Sequence, residues 1–291
     1  VAWLDAGRRL HLQHGPIDLI VLADGTQKAI DQAYLQAIEH FDSVLQTLVN
    51  ELPQLRCDVT ASGALCGEIA RAMRRAATRV RGQGFASPMI AVAGAVADHI
   101  VAAMRHNNPQ LQRASVNNGG DIALYLAPGA RFDVAMASES GQLLGRVEIG
   151  ANDPVRGVAT SGWRGRSQSL GIADSVTALA RSAAMADAAA TTIANAVNLS
   201  PCSAIVRRPA HEVDPDSELG DRAITVAVNP LSDADKMHAL TAGAAVARQL
   251  MASGDVLGAC LCLQGQYQLT GIAASGLPPS VNIQRKSRDY A

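Results

Sequence analysis

Aromatic side chains are scarce in this chain, at 3% of 291 residues. An interior without rings must be filled by Ala, Val, Leu and Ile, with backbones approaching one another closely. Positive charge is not in excess either. The chain has 25 Lys and Arg against 26 Asp and Glu, a formal net charge of −1. That excludes the broad basic face of a nucleic-acid binder. The arginines Arg71, Arg74, Arg75, Arg79 and Arg81 fall on one flank of a predicted helix and read as a solvated face. No CxxC occurs, and the five cysteines are odd in number. A disulfide framework and a zinc ribbon are both excluded, and free thiols in a reducing compartment are expected. No uninterrupted apolar run approaches the about 18 residues of a membrane span. The first residues, Val1-Ala2-Trp3-Leu4-Asp5, show no basic segment leading into an apolar one. The expectation is a cytoplasmic protein that binds neither membrane nor nucleic acid.

What the chain has in quantity is small apolar residue: 48% of it is hydrophobic and 25 residues are Gly. A large core is affordable, in one domain over 1–277 or two intimate lobes, with a polar tail at 278–291. Ile17 to Leu22 reads as a strand, Thr26 as an N-cap, and Ile30 to Leu52 as one long amphipathic helix closed by Pro53. Ser62 to Val80 reads as a second helix. Met89 to Met104, MIAVAGAVADHIVAAM, is small and apolar on nearly every side and so should be buried all round. Its two ionisable residues, Asp98 and His99, are placed near its exposed end. From Ala114 to Ala159 the pattern turns to strands, with candidates at 122–126, 132–137, 143–149 and 157–160. Ser175 to Leu179, Ala223 to Val228, and a hairpin of Val256 to Leu263 with Tyr267 to Ile272 add more. Ser182 to Val197 and Ala234 to Met251 are helical. The polar stretch 207–221 reads as a surface loop. Together these give an α+β fold, antiparallel sheets with helices packed on them.

Four segments carry chemistry. Asp187 is the one charged side chain between Ser182 and Val206, and Thr191 lies one helical turn on, so their oxygens share a face. Such a pair suits a hard cation such as Mg²⁺. It equally suits a surface Asp near a helix start beside a Thr bonded to its own backbone. Asn117-Asn118-Gly119-Gly120-Asp121 forms a turn that exposes backbone N–H groups, with a carboxylate at a strand mouth, fit for a phosphate or a sugar hydroxyl. The same residues make ordinary hairpin turns. The loop Thr160-Ser161-Gly162-Trp163-Arg164-Gly165-Arg166-Ser167-Gln168-Ser169 is dense in donors, as anion binding requires. Trp163 reads either as a stacking platform or as a cap on the core edge. Asp174 enters a strand and reads as a turn cap.

The segments PMIAVAGAVAD at 88–98, VNNGGDIAL at 116–124, ATSGWRGRSQSLGIADSVTALA at 159–180 and ADAAATT at 186–192 occur in this order. Together they resemble the ApbE-like superfamily, in its bacterial and archaeal branch related to FAD:protein FMN transferases, from about Gly15 to about Gly271. The resemblance implies a T-fold-like arrangement and a Mg²⁺-dependent site for FAD or FMN. It implies Asp187 and Thr191 as metal ligands, completed by a backbone carbonyl near Gly94 or Ala95. It matches Gly119 and Gly120 to the family's Gly-Gly turn and Ser161 and Gly162 to its Ser-Gly pair; with these, Asn118 and Asp121 are expected to hold ribose or phosphate, Arg164 and Arg166 to neutralise phosphate, and Trp163 to cover a ring. The flavin transferases carry a His shortly after the Ser-Gly pair, where this chain reads Arg166-Ser167-Gln168-Ser169. Their Lys-Gly pair after the small-residue turn is Ala97-Asp98 here. Two other expectations stand beside flavin chemistry. One is an enzyme acting on a pterin-like or other phosphorylated small molecule. The other is a non-catalytic, homo-oligomeric accessory protein.

Overall fold

The computed structural model describes residues 1–5, 8–137, 143–165 and 167–271. The predicted tail at 278–291 and the last residue of the terminal hairpin, Ile272, lie outside them. The chain opens with strands β1 (Ala2–Leu4), β2 (Arg9–His14) and β3 (Ile17–Gly25). Helices α1 (Gln27–Phe41), α2 (Val44–Asn50), α3 (Leu52–Leu55), α4 (Glu68–Val80) and α5 (Val92–Arg105) follow. Next come β4 (Leu111–Asn118), β5 (Asp121–Leu126), β6 (Arg131–Ala137), β7 (Leu143–Gly150), β8 (Gly157–Ser161) and β9 (Ser175–Ala180). The remainder is α6 (Ala183–Ala196), β10 (Ile205–Pro209), α7 (Ala210–Val213), β11 (Ala223–Val228), α8 (Asp233–Ala252), β12 (Val256–Leu263) and β13 (Gln266–Gly271).

Nine strands form one sheet in the order β1-β2-β3-β4-β5-β8-β9-β12-β13, and every neighbouring pair is antiparallel. The α+β reading therefore holds. The alternation along each strand splits the sheet into two faces. Ala123, Ala159, Val176, Ala178 and Leu261 join the large core beneath the helices. Leu124, Leu126, Val158 and Leu179 point the other way and pack with Val134, Ile149 and Val155 of the β6–β7 hairpin and its exit. Helices thus cover one face and a hairpin covers part of the other.

Thr26 does cap α1, accepting a bond from Ala29 N–H. The long helix expected to run to Leu52 breaks instead after Phe41 and again after Asn50. Its apolar spacing continues across the breaks because Val44, Leu48 and Leu55 still face the same core. The second helix starts at Glu68 rather than Ser62. The polar stretch 207–221 is only partly a loop: Arg207 to Pro209 pair with β11, and Ala210–Val213 is a helical turn.

Helix α5 with its preceding turn, Pro88–Arg105, reaches 18 residues and a mean hydropathy of 1.3. Contrary to the expectation from sequence, that is long and apolar enough to cross a membrane by length and composition. Its apolarity serves the core, where Val96, Ala97, Ile100 and Met104 are fully buried.

Helices α5 and α6 cross almost backbone to backbone. A Cβ on Gly94 would lie 2.2 Å from the Ala183 carbonyl oxygen, and one on Gly157 would lie 2.1 Å from that of Ser182. Neither neighbour is the mobile end of a side chain, so the first turn of α6 is seated between α5 and β8. Gly94→Ala is expected to destabilise the protein by about 1–3 kcal/mol, the usual range for overpacking. Urea denaturation followed by circular dichroism measures this; an unchanged midpoint would show that the crossing can open without loss.

Candidate functional site

The crossing of α5 and α6 is held by two carboxylates that exchange helix ends. Asp98 of α5 accepts from Ala183 N–H and Ala184 N–H, both at 2.9 Å. Asp187 of α6 accepts from Gly94 N–H at 3.0 Å through Oδ2. Each acid thus satisfies N–H groups left over in the first turn of the other helix, where the helix dipole favours negative charge. Ser182 completes the α6 cap by accepting from Met185 N–H. Asp98 is therefore not a residue of an exposed helix end, as its sequence context suggests. It is half-buried at the crossing, and its partners lie more than eighty residues away. A lone carboxylate in a small apolar helix marks Asp98 as plainly as it marks Asp187.

Asp187 also lines a cleft of about 770 Å³. Facing it are the turn between β4 and β5 and the end of β8. Asn118 and Asp121 are cross-strand partners at that turn. Asn118 donates to the Ala93 carbonyl at 3.1 Å, which ties the turn to the start of α5. Asp121 accepts from Thr160 N–H at 3.3 Å. Thr191, one turn along α6 from Asp187, donates to Ser161 Oγ at 3.2 Å. Gly119 and Gly120 take φ of +65° and +118°, a region that excludes most side chains. The Gly120 N–H is not offered to a ligand, because it donates to Asn117 Oδ1 at 2.8 Å.

The structure brings Asn118, Gly119, Gly120, Asp121, Ser161, Gly162, Arg164, Asp187 and Thr191 to one cleft. Trp163 is not in its lining. Its Nε1–H donates to Asp174 Oδ1 at 3.2 Å, and the Arg164 guanidinium lies 4.9 Å from its ring centroid. The platform reading thus gives way to a ring already paired within the loop. Arg164 also meets Asp174 at 3.4 Å. Arg166 lies outside the described residues. The cleft also includes Gln168 of the donor-rich loop and residues that no motif suggested, among them Phe85, Asp214 and Glu218.

Burial raises the carboxyl pKa values here. Asp121 is pushed up to about 7 from an ordinary 3.8, because the backbone bond from Thr160 does not offset its desolvation. Asp98 rises to about 6 for the same reason, despite its two backbone bonds. Asp187 is raised well above its ordinary value, first by desolvation and then by the charges of Asp121 and Asp98. Two acids that oppose each other's ionisation invite a cation between them. The oxygens of Asp187, Asp121, Thr191 and Ser161 are the hard donors that Mg²⁺ takes. Among the described residues no three His, Cys, Asp or Glu side chains are grouped to hold a metal. Hydroxyl, backbone or ligand oxygens must therefore complete such a shell. At the start of α5 the Ala93 carbonyl accepts from Asn118, and Gly94 gives its N–H to Asp187.

An acid whose pKa is higher folded than unfolded holds its proton more tightly in the folded state. The associated stability is present at low pH and is lost as pH rises from the unfolded value through the folded one. For Asp98 that window runs from 3.8 to about 6, and for Asp121 from 3.8 to about 7. In EDTA these groups are expected to lower the melting temperature as pH rises through this window. Asp121→Asn should flatten the slope, and Mg²⁺ should restore more stability at the upper end than at the lower. A thermal-denaturation series across pH reads all three; an identical slope in Asp121→Asn would remove Asp121 as a source.

Comparison with known proteins follows this geometry. A model of the family described as AbpE bacteria matches residues 1–269. A UPF0280 protein of Methanococcus vannielii is 39% identical over 125 residues, covering 40% of this chain and 48% of that protein. One from Methanopyrus kandleri is 38% identical over 151 residues, covering 50% of this chain and 56% of that protein. The chain spans about half the length of the curated relatives it matches. Among solved structures it is similar to the flavinyl transferase ApbE of Pseudomonas stutzeri, at 11% identity and a TM-score of 0.49, over 90% of this chain and 93% of that one. The ApbE protein of Thermotoga maritima aligns at 11% identity and a TM-score of 0.45, over 92% and 98%. With a family model covering nearly its whole length, the chain belongs to the AbpE bacteria family, within the ApbE-like superfamily.

Proposed function

We propose that the cleft binds a pyrophosphate-bearing small molecule of the flavin dinucleotide type, FAD or FMN, together with Mg²⁺. The observation that supports this reading is the pair of raised carboxyls, Asp121 and Asp187, beside the Thr191–Ser161 hydroxyl pair. Bound between them, Mg²⁺ would neutralise the carboxylates and draw in phosphate oxygens. Asp187 is aimed by its bond to Gly94, and Asp121 by its bond from Thr160. Asn118 fixes the turn on α5, so a ligand would meet a preformed wall. The cleft volume of about 770 Å³ lies within the range of small-molecule sites.

FMN transfer to a protein hydroxyl is the finer form of this reading. It rests on the family and finds no His in the stretch after Ser161-Gly162, which reads Trp163-Arg164-Gly165-Arg166-Ser167-Gln168. Action on a pterin-like or other phosphorylated molecule would use the same cation and turn. We also propose one domain over 1–277, in which the cleft draws on the sheet's middle strands β4, β5, β8 and β9.

The test must separate binding from folding, because Asp187 also caps α5. Asp187→Asn keeps an oxygen for the Gly94 N–H and removes the charge, and Thr191→Val keeps the helix while removing the hydroxyl. FAD titration by absorbance and Trp fluorescence is expected to show Mg²⁺-dependent binding that weakens at least about tenfold in Asp187→Asn, equivalent to about 1.4 kcal/mol. A smaller loss is expected in Thr191→Val. Binding of FAD that ignores both Mg²⁺ and Asp187→Asn would defeat the metal reading. Absence of FAD binding with retained Mg²⁺-dependent pyrophosphate binding would exclude flavin while keeping the phosphate site.

A further inference from the structure

The segment from Ala210 to Arg222 forms a strap along one side of the cleft. Its neck is closed by Ala210 N–H to the Arg222 carbonyl, by His211 N–H to the Gly220 carbonyl, and by His211 with Asp221. One side is clasped by Gln168. Its Nε2 donates to the Ala210 carbonyl at 3.3 Å, and its Oε1 accepts from Ser217 Oγ at 2.5 Å. The other side reaches the opposite wall, where the Arg222 guanidinium lies 3.7 Å from the Phe85 ring centroid. Phe85 and Gln168 both line the cleft. The strap is therefore fixed from two directions and brings Asp214, Glu218 and Leu219 into the lining.

Of the strap's five acids, Asp214 and Glu218 line the cleft, and they differ in what they already do. Asp214 accepts from Asp216 N–H at 3.0 Å and so shapes the strap's own turn. Glu218 makes no hydrogen bond or ion pair with the described residues, and none of the backbone bonds that shape the strap uses its side chain. Of the two lining acids, it is the one available to an occupant. The inner end of the same cleft holds Asp121 and Asp187, and the charge of Arg164 is shared with Asp174. An occupant with anionic groups at both ends would meet carboxylates at both, and a cation of Asp121 and Asp187 would relieve only the inner encounter.

We propose that Glu218, carried by the strap and supported by Asp214, sets the charge selectivity of the outer end of the cleft: it accepts a ligand end bearing an amino group or other hydrogen-bond donors and turns away a second anionic end. This deepens, and rests on, the reading of the inner end as a Mg²⁺–pyrophosphate site. The chemistry is that of a carboxylate, which only accepts hydrogen bonds and repels like charge.

Three probes share uridine and pyrophosphate and differ in the charge of the sugar end: UDP-glucosamine, UDP-glucose and UDP-glucuronate. Titrated calorimetrically into the full chain with Mg²⁺, they should bind in that order. The spread from first to last should be about tenfold, the scale of a partly exposed charge contact changed from attraction to repulsion. Glu218→Gln should collapse the spread, and Glu218→Arg should reverse the order. Asp214→Asn should keep the order and reduce the spread. Because the Glu218 side chain takes no part in the strap's bonding, the melting temperature of Glu218→Gln should match the parent. Equal affinities for all three probes, or a full spread retained in Glu218→Gln, would overturn the proposal while the inner site stands. Failure of all three probes and of Mg²⁺–pyrophosphate to bind the parent protein would overturn the inner reading and this one together.

Discussion

The exchange of caps between α5 and α6 is the constraint on which the site depends. An α-helix begins with N–H groups that have no partner within the helix, and burying them unpaired is costly. Here two helices begin side by side, so close that Gly94 leaves no room for a side chain. Gly94, Ala183 and Ala184 are all buried there. Each helix sends a carboxylate to the other: Asp98 to Ala183 and Ala184, Asp187 to Gly94. The arrangement fixes the crossing, and with it the face of α6 that Asp187 and Thr191 present to the cleft. The bland and the chemical readings of Asp187 are consequently not alternatives. One oxygen is committed to the fold, and the residue still opens on the cleft.

That double use has an energetic consequence. Backbone donors lower the pKa values of Asp98 and Asp187, but desolvation outweighs them, and Asp121 adds repulsion on Asp187. Both carboxyls therefore hold their protons more tightly in the folded protein than exposed carboxyls do. A cation at the inner end would relieve the same repulsion that burdens the fold, so binding and stability are linked through one carboxylate. Sites that keep destabilising charge for later use are a common departure from the most stable sequence for a fold.

Local signals were legible where their physics is local. Thr26 announces α1 because an N-cap bonds three residues ahead. Small residues from Met89 to Met104 announce a buried helix because only they permit backbone contact on every side. Asp187 stands out as a charge without neighbours of its kind. What escaped depends on distant partners. The breaks after Phe41 and Asn50 leave the apolar spacing intact, so periodicity runs straight through them. Arg207 to Pro209 look like loop because their arginines are polar, and what those side chains bond lies elsewhere: Arg207 reaches the Leu170 carbonyl and Asn198, and Arg208 pairs with Glu212. Asp98 carries the same signal as Asp187, yet its role requires knowing that α6 begins beside it. Trp163 reads either as a platform or as a cap on the core edge because composition cannot show its contacts with Asp174 and Arg164.

The same reasoning bears on the stretch that follows Ser161 and Gly162. In the flavin transferases that this chain resembles, a His stands there, a group that can move a proton near neutral pH. Here the stretch continues through Gln168, whose amide does not titrate. That amide is engaged at both ends, with Ala210 and Ser217, and so anchors the strap. Beside that clasp lies Glu218, which makes no hydrogen bond or ion pair with the described residues. The cleft thus joins two sets of groups: the oxygens of Asp121, Asp187, Thr191 and Ser161, suited to a cation, and the strap's carboxylate held in place through an amide clasp.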